Sequence, residues 1–281
     1  MKGKTIIITG ASRGIGLAIA VRCARAGANV AIVTKDSPES LQSAADQIER
    51  AGGKSLVLSV DVTDTIAIQQ AITQTAAHFG GIDALVNNTS AAWLTDTSHT
   101  SPEKFDLTVA TSVRAAFFMS KGCLPYLKQA NNPHIINISP PLYIDPQCLK
   151  NYLAFALSKY AMSFCTLGMA EEFKHSGIAV NSLWPESTIA TQTIKDHFLP
   201  EVFSASRWPA IMGEAAYHLL QRSSRECSGQ FFTDEILLKE VGVTDFSQYA
   251  VEPGTLLKQS LFLPPSNHTT PISTELFRAK S

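Results

Sequence analysis

Long apolar runs are missing from this chain. No segment approaches the roughly 20 apolar residues needed to cross a bilayer. The run Ile6 to Ile8 near the start is too short for a signal-peptide core, and no small-residue cleavage site follows it. Charge of one sign is also missing. The formal net charge is −1, so the basic stripe that a nucleic-acid partner requires is not expected. Cysteine is sparse: Cys23, Cys123, Cys148, Cys165 and Cys227 form no C-x-x-C pair, and an odd count closes no disulfide framework. The histidines show neither H-E-x-x-H nor H-x₃-H spacing, so no protein-bound metal is expected. These absences point to a cytoplasmic or organellar-matrix protein with reduced thiols, no membrane span and no nucleic-acid partner.

What is present is apolar residue content for one large α/β domain: 281 residues, 45% of them hydrophobic. Strand and helix patterns alternate from the start. Thr5 to Thr9 is a continuous apolar run, as expected of a strand covered on both faces. Gly14 to Ala26 is apolar at helical spacing and stops at Gly27. Strands are predicted at 29–34, 55–60, 82–87, 134–139, 178–183 and 229–233. Helices are predicted between them at about 40–51, 64–79, 102–120, 121–129, 151–175 and 215–222. Repeated β-α units of this length predict a doubly wound, Rossmann-type parallel sheet with helices on both faces. The domain is expected to span 1–263, with a polar, proline-containing tail at 264–281 that is extended or disordered.

The first strand runs into Thr9-Gly10-Ala11-Ser12-Arg13-Gly14-Ile15-Gly16 and then a helix. Glycine removes a Cβ where backbone must turn or approach a pyrophosphate, and the helix N-terminus beyond offers free N–H groups and partial positive charge. The G-x-x-x-G-x-G spacing in a strand-loop-helix context predicts a dinucleotide site. The end of the second strand indicates which dinucleotide. An NAD site wants a carboxylate there for the ribose 2′-OH, but the strand ends Val33-Thr34-Lys35. Lys35 and Arg13 together suit a 2′-phosphate, so NADP(H) is expected over NAD(H). Asp36 comes slightly late but within reach of a ribose. Asp61-Val62, after the third strand, is expected near the adenine. A helix N-cap is the plainer role for Asp61, although Thr63 or Asp64 would serve that better.

These features, with Asn87-Asn88 after strand four and Ser158-Lys159 on a long helix, resemble the short-chain dehydrogenase/reductase family between about Lys4 and Phe232. Gly80-Gly81-Ile82-Asp83, Asn137-Ile138-Ser139-Pro140-Pro141-Leu142, Leu167-Gly168-Met169-Ala170-Glu171-Glu172-Phe173 and Ala179-Val180-Asn181-Ser182-Leu183-Trp184-Pro185 are similar to its hydroxysteroid dehydrogenase-like protein 2 subgroup and single-domain bacterial relatives. Larger members carry a C-terminal sterol-carrier domain, for which no room is expected here. The resemblance implies Asn87 among the cofactor contacts and a lysine, here Lys159, on the nicotinamide ribose. It also implies a tyrosine general acid four residues before that lysine, an asparagine on the preceding helix and a serine after strand five. After strand six, Pro185 and the Ile189 backbone would hold the carboxamide, with Thr188 or Thr191 adding a hydroxyl. Glu186 replaces a common glycine there and alters the turn.

The chain departs from that pattern where a proton must move. Phe155 stands at the tyrosine position and Ser112 at the asparagine position. Ser139, followed by Pro140-Pro141, is the candidate serine. Tyr152 lies three residues before Phe155 and is a possible substitute phenol; Tyr143 and Tyr160 are weaker ones. Asp234-Glu235 reads as structural. Two functions follow. One is an NADP(H)-dependent oxidoreductase of weakened catalysis acting on the hydroxyl or carbonyl of a small apolar substrate. The other is an NADP(H)-binding sensor or hetero-oligomer partner. The long helix is apolar enough for homo-oligomer packing.

Overall fold

The computed structural model describes residues 1–272, 276 and 277. Seven strands form one parallel sheet: β1 (Thr5–Thr9), β2 (Asn29–Thr34), β3 (Lys54–Ser59), β4 (Ala84–Asn87), β5 (His134–Asn137), β6 (Ala179–Trp184) and β7 (Phe231–Thr233). Their order is β3-β2-β1-β4-β5-β6-β7. The order reverses between β1 and β4, where Ile6, Ile7 and Ile8 lie opposite Ala84, Leu85 and Val86. Such a switch point opens a crevice at the carboxyl ends of the strands.

The helices are α1 (Gly14–Arg25), α2 (Pro38–Arg50), α3 (Thr65–Phe79), α4 (Pro102–Val109), α5 (Ala115–Leu127), α6 (Pro146–Leu149), α7 (Leu153–Glu172), α8 (Gln192–His197), α9 (Pro200–Ser204), α10 (Ala210–Gln221) and α11 (Asp234–Glu240). The doubly wound prediction holds, with β1 and β2 at the expected bounds. Two cores sandwich the sheet. One packs Ile6, Ile8 and Ile32 against Ile19, Ile211 and Leu237; the other packs Ile7, Leu85 and Ile135 against Ile72, Met119 and Val180. Alternate residues of each strand feed opposite cores, which is why these strands read as unbroken apolar runs.

The helices differ from expectation where side chains compete for the ends. α2 starts at Pro38 because Ser37 caps it, its hydroxyl accepting from the Ser40 N–H. α4 and α5 are one helix with a wide π turn at Ala110–Arg114, not two helices parted near residue 120. α11 lies where no helix is predicted: Thr233 caps it with its hydroxyl on the Ile236 N–H. α7 is long and apolar enough to cross a bilayer by composition. It lies against the sheet instead, with Phe155, Lys159, Met162 and Thr166 buried.

Residues from 264 onward are irregular but docked. Thr270 donates to the Leu257 carbonyl, Gln259 donates to the Thr270 carbonyl, and Thr269 is buried. Phe277 packs on Phe198 and Tyr152. The expected tail at 264–281 therefore returns to the domain as far as it is described; residues 273–275 and 278–281 lie outside the described set.

Candidate functional site

A cleft of about 580 Å³ runs across the strand ends at the switch point. Gly10, Ser12, Arg13, Gly14 and Ile15 line one end. Gly10 and Gly14 turn the loop at φ of +66° and +59°, a region open to glycine. Gly16 has a different constraint: a Cβ there would lie 2.6 Å from the Asn88 amide nitrogen and 2.6 Å from the Gly10 carbonyl oxygen. Ala11 is packed in the core and Gly16 sits beneath the loop, so these two shape the site without lining it. Arg13 stands at the N-cap of α1 with no side-chain cap bond, leaving the first turn to a ligand.

Asn88, not Asn87, supports this loop. The Asn88 amide donates to the carbonyls of Thr9 (2.9 Å) and Gly10 (3.1 Å), and Asn88 lines the cleft. Asn87 points into the sheet, where its amide donates to Asn137 Oδ1 (2.9 Å) and Ser120 Oγ (3.2 Å). Asn88 lines the cleft, whereas Asn87, the residue read as a cofactor contact, lies outside that lining. Strand alternation could have separated them, because adjacent residues face opposite sides.

At the β2 edge, Thr34, Lys35 and Asp36 line the cleft together with Asp61 and Val62. Both cations hold acids. The Arg13 guanidinium pairs with Asp36 at 3.1 Å, and Ser12 Oγ donates to the same carboxylate. Lys35 Nζ pairs with Asp61 Oδ2 at 2.9 Å. The other Asp61 oxygen accepts from the Thr63 hydroxyl and N–H. These bonds, the Thr63 hydroxyl first and then Lys35, hold the Asp61 carboxyl down at about 2. The N-cap of α3 is Asp64, which accepts from Ile66 and Ala67.

At the other end, α7 presents Phe155 and Lys159 to the cleft. Lys159 Nζ donates to the Ile138 carbonyl at 2.9 Å. It lies 5.6 Å from the Trp184 ring centre and 6.0 Å from that of Phe155. Desolvation in this apolar setting pushes the Lys159 pKa down to about 7. Pro185, Thr188, Ile189 and Thr191 line the far wall. That loop is pinned from three sides. The Glu186 N–H donates to Asp234 (2.8 Å); the Ala190 N–H donates to the Arg207 carbonyl, and the Thr188 N–H to the Lys258 carbonyl. The Thr188 hydroxyl is taken by Ser206 (2.7 Å). Asp234 and Glu235 diverge as a structural pair should. Asp234 serves the loop, and Glu235 forms a buried ion pair with Arg207 and a half-exposed one with Lys239.

The expected proton-handling groups do not all assemble. Ser139 is fully buried and its Oγ pairs with Ser182 Oγ at 2.8 Å, away from the cleft lining. It belongs to a buried ladder. Ser182 meets Thr166, Thr166 meets Asn137, and Asn137 meets Asn87. Ser139 is thus a scaffold residue, because the chain past β5 turns its hydroxyl toward β6. Ser112, in the π turn, is buried and its hydroxyl has no partner among the described residues. Tyr152 fails as a substitute because α7 starts one residue after it. It sits at the N-cap with φ −152° and ψ 44°, packed against Phe262 and Phe277, so helical-face spacing does not apply. Tyr160 donates to the Tyr143 carbonyl, and Tyr143 bonds to Asp145 (3.4 Å). None of these three phenols lines the cleft.

The sequence profile of the short chain dehydrogenases matches residues 4–199. The chain belongs to that family. Hydroxysteroid dehydrogenase-like protein 2 of Danio rerio is 46% identical over 269 residues, covering 94% of this chain and 64% of the relative. The Homo sapiens protein of that name is 43% identical over the same shares. The chain therefore spans less than two thirds of the curated relatives it matches. Among solved structures, a dehydrogenase-type chain from Xanthomonas campestris is 44% identical with a TM-score of 0.90, covering 94% of this chain and 99% of that one. A short chain dehydrogenase from Mycobacterium thermoresistibile is 39% identical with a TM-score of 0.87, covering 96% and 99%.

Family membership and the Rossmann-type fold imply a nicotinamide dinucleotide. The residues present fit it. Gly10 and Gly14 bring bare backbone to the cleft lining, and the first turn of α1 has no side-chain cap. Gly10 to Ile15 would hold the pyrophosphate, Val62 and Asp61 would flank the adenine, and Lys159 would take ribose hydroxyls. When bound, the group supplies or accepts hydride. The chain's own contribution is to orient it, to exclude water along Ile138, Trp184 and Ile189, and to carry a proton on Lys159 Nζ.

Proposed function

We propose that this chain is an NADP(H)-dependent oxidoreductase acting on a hydroxyl or carbonyl of a small apolar substrate, with catalysis weakened by Phe155. One observation carries the reading: the same cleft holds an intact cofactor cradle, from Gly10 to Lys159, and a phenyl ring where the family's proton donor would stand. Arg13 and Lys35 support the choice of NADP(H). Both are exposed, and their pairs with Asp36 and Asp61 are solvent-screened contacts. Exposed pairs are worth about 0–1 kcal/mol each, so a doubly charged 2′-phosphate competes for both cations. No acid stands at Thr34 to reject it. Exposed Phe117, Leu157 and Phe164 on α5 and α7 support a homo-oligomer of the kind expected from the apolar long helix.

NADPH is titrated by its fluorescence and its oxidation then followed against a panel of carbonyl compounds. The expected result is tight binding with slow turnover. Phe155→Tyr should raise the rate by about 10²- to 10⁴-fold, the usual contribution of a positioned general acid. Binding with no turnover at high protein concentration, in both proteins, would sink the enzyme reading. The second reading, a sensor or hetero-oligomer partner, would then stand. It draws support from Ser112 and from the absence of any tyrosine in the cleft lining.

A further inference from the structure

The C-terminal segment enters the cleft through an unusual piece of backbone. Phe262 has φ +68°, a left-handed conformation that a bulky side chain rarely adopts. The surroundings hold it there. Its ring is buried at 1% exposure and meets four others: Tyr160 at 5.4 Å, Tyr152 at 5.8 Å, Phe155 at 5.9 Å and Trp184 at 6.2 Å between centres. The residues before it are tied by hydrogen bonds. The Ser260 N–H donates to the Glu186 carbonyl, and Trp184 Nε1 donates to the Leu261 carbonyl at 2.8 Å. The consequence of the turn is that Phe262 faces the aromatic seat while Leu261 joins Ser260 and Ile272 in the cleft wall.

The chemistry of that wall is one-sided. Arg13, Lys35, Asp36 and Asp61 cluster at the dinucleotide end, and Lys159 is the one other charged residue lining the cleft among the described residues. The rest of the lining is uncharged: Leu94, Leu107, Ile194, Leu261 and Ile272 supply apolar surface, with neutral Thr111, Gln192, Thr193 and Ser260 among them. A carboxylate or phosphate on the substrate body would find no cation among these residues, whereas a hydrocarbon would replace water along the five apolar side chains.

We propose that Leu261 is a specificity-determining residue that limits the length of the uncharged, hydrocarbon-bearing carbonyl or alcohol the cleft accepts, and that Phe262 is the positioning residue that holds it in place. This rests on the oxidoreductase reading for the reaction, but its test is a binding measurement and needs no turnover. Trp184 lines the cleft and is the reporter; Trp93 and Trp208 are changed to Phe to silence them. Straight-chain methyl ketones of increasing length are titrated with and without NADP⁺, following Trp184 emission.

Affinity should rise by about fourfold per methylene, the worth of burying a CH₂, and then break at one chain length. Leu261→Ala should move the break to longer ketones by at least one or two carbons, and Leu261→Trp should move it to shorter ones. Phe262→Gly relieves the backbone and removes the ring, so the break should blur. If that variant fails to fold, the two Leu261 variants still decide the matter. An unchanged break in both Leu261 variants overturns the proposal, as does equal affinity for keto acids of matched length. No ketone binding at all also overturns it. NADPH fluorescence in the same samples shows whether the cofactor reading survives that failure.

Discussion

Phe155 lines the cleft one helical turn before Lys159 with an aromatic ring that has no proton to give. The ring touches Phe262 and lies over Lys159, so a restored hydroxyl has a formed setting to enter. Phe155→Tyr combined with Ser112→Asn should therefore exceed either single change in turnover, in a non-additive way typical of groups that act together. The cofactor edge gives a second residue-scale prediction. Lys35→Ala should weaken NADPH by tenfold or more and leave NADH nearly unchanged, because in the proposed complex the ammonium would meet only the 2′-phosphate. Asp36→Ala frees Arg13 and should shift preference further toward NADPH. Equal Kd shifts for both nucleotides would refute the assignment. Side-chain type was legible here and side-chain direction was not. Arg13, Lys35 and Lys159 stand in the cleft as read, while Asn87 and Ser139 turn into a buried ladder that no local motif announces.

At the scale of elements, the sheet edges and the glycine loop were legible because they rest on local rules of strand alternation, backbone freedom and helix termination. Contacts between elements were not. Gly213 on α10 marks one of them: a Cβ there would lie 2.6 Å from the Ala18 carbonyl oxygen of α1. Gly213→Ala should part these helices and destabilise the fold by about 1–3 kcal/mol, as overpacking does, read as a lowered urea midpoint. Gly16→Ala should behave differently. Its Cβ would displace the glycine loop itself, through the Asn88 amide and the Gly10 and Ala11 backbone, so it should abolish dinucleotide binding as well as lower the melting temperature. The π turn at Ala110–Arg114 and the helix α11 escaped the pattern reading because both depend on what packs against them.

Among the buried ionisable groups, Asp234 and Lys159 carry opposite pH signs. Burial raises the Asp234 carboxyl from 3.8 to about 7. The folded state then binds the proton more tightly than the unfolded one, so this group's contribution to stability falls as pH rises between those values. Asp234→Asn should flatten that decline. Burial lowers Lys159 from 10.5 to about 7. Here the unfolded state holds more protons from about pH 7 to 10.5, so the contribution grows with pH across that window. Urea titrations of Asp234→Asn and Lys159→Met beside the parent chain across pH 4 to 10 check the two signs. Reversal of either slope would refute its assignment. The exposed apolar face of α5 and α7 belongs to this scale as well. Phe164→Glu should lower the sedimentation coefficient to that of a monomer, and a monomeric parent protein would remove the oligomer proposal.

By itself the sequence determined the doubly wound sheet, the glycine loop between strand and helix, and which residue types, Arg13, Lys35, Phe155 and Lys159, reach the cleft. Each is set by residue type within a short window, where φ preferences, period-two alternation and chemical identity act without distant partners. Only the tertiary structure decided that Asn88 braces the loop and that Ser139 serves the scaffold. It also decided that Tyr152 precedes its helix and that Leu261, seated by Phe262, lines the cleft from more than 100 residues beyond Phe155. Those outcomes depend on which surfaces meet across the folded chain, and burial and hydrogen-bond pairing between remote segments are settled only when the whole core packs.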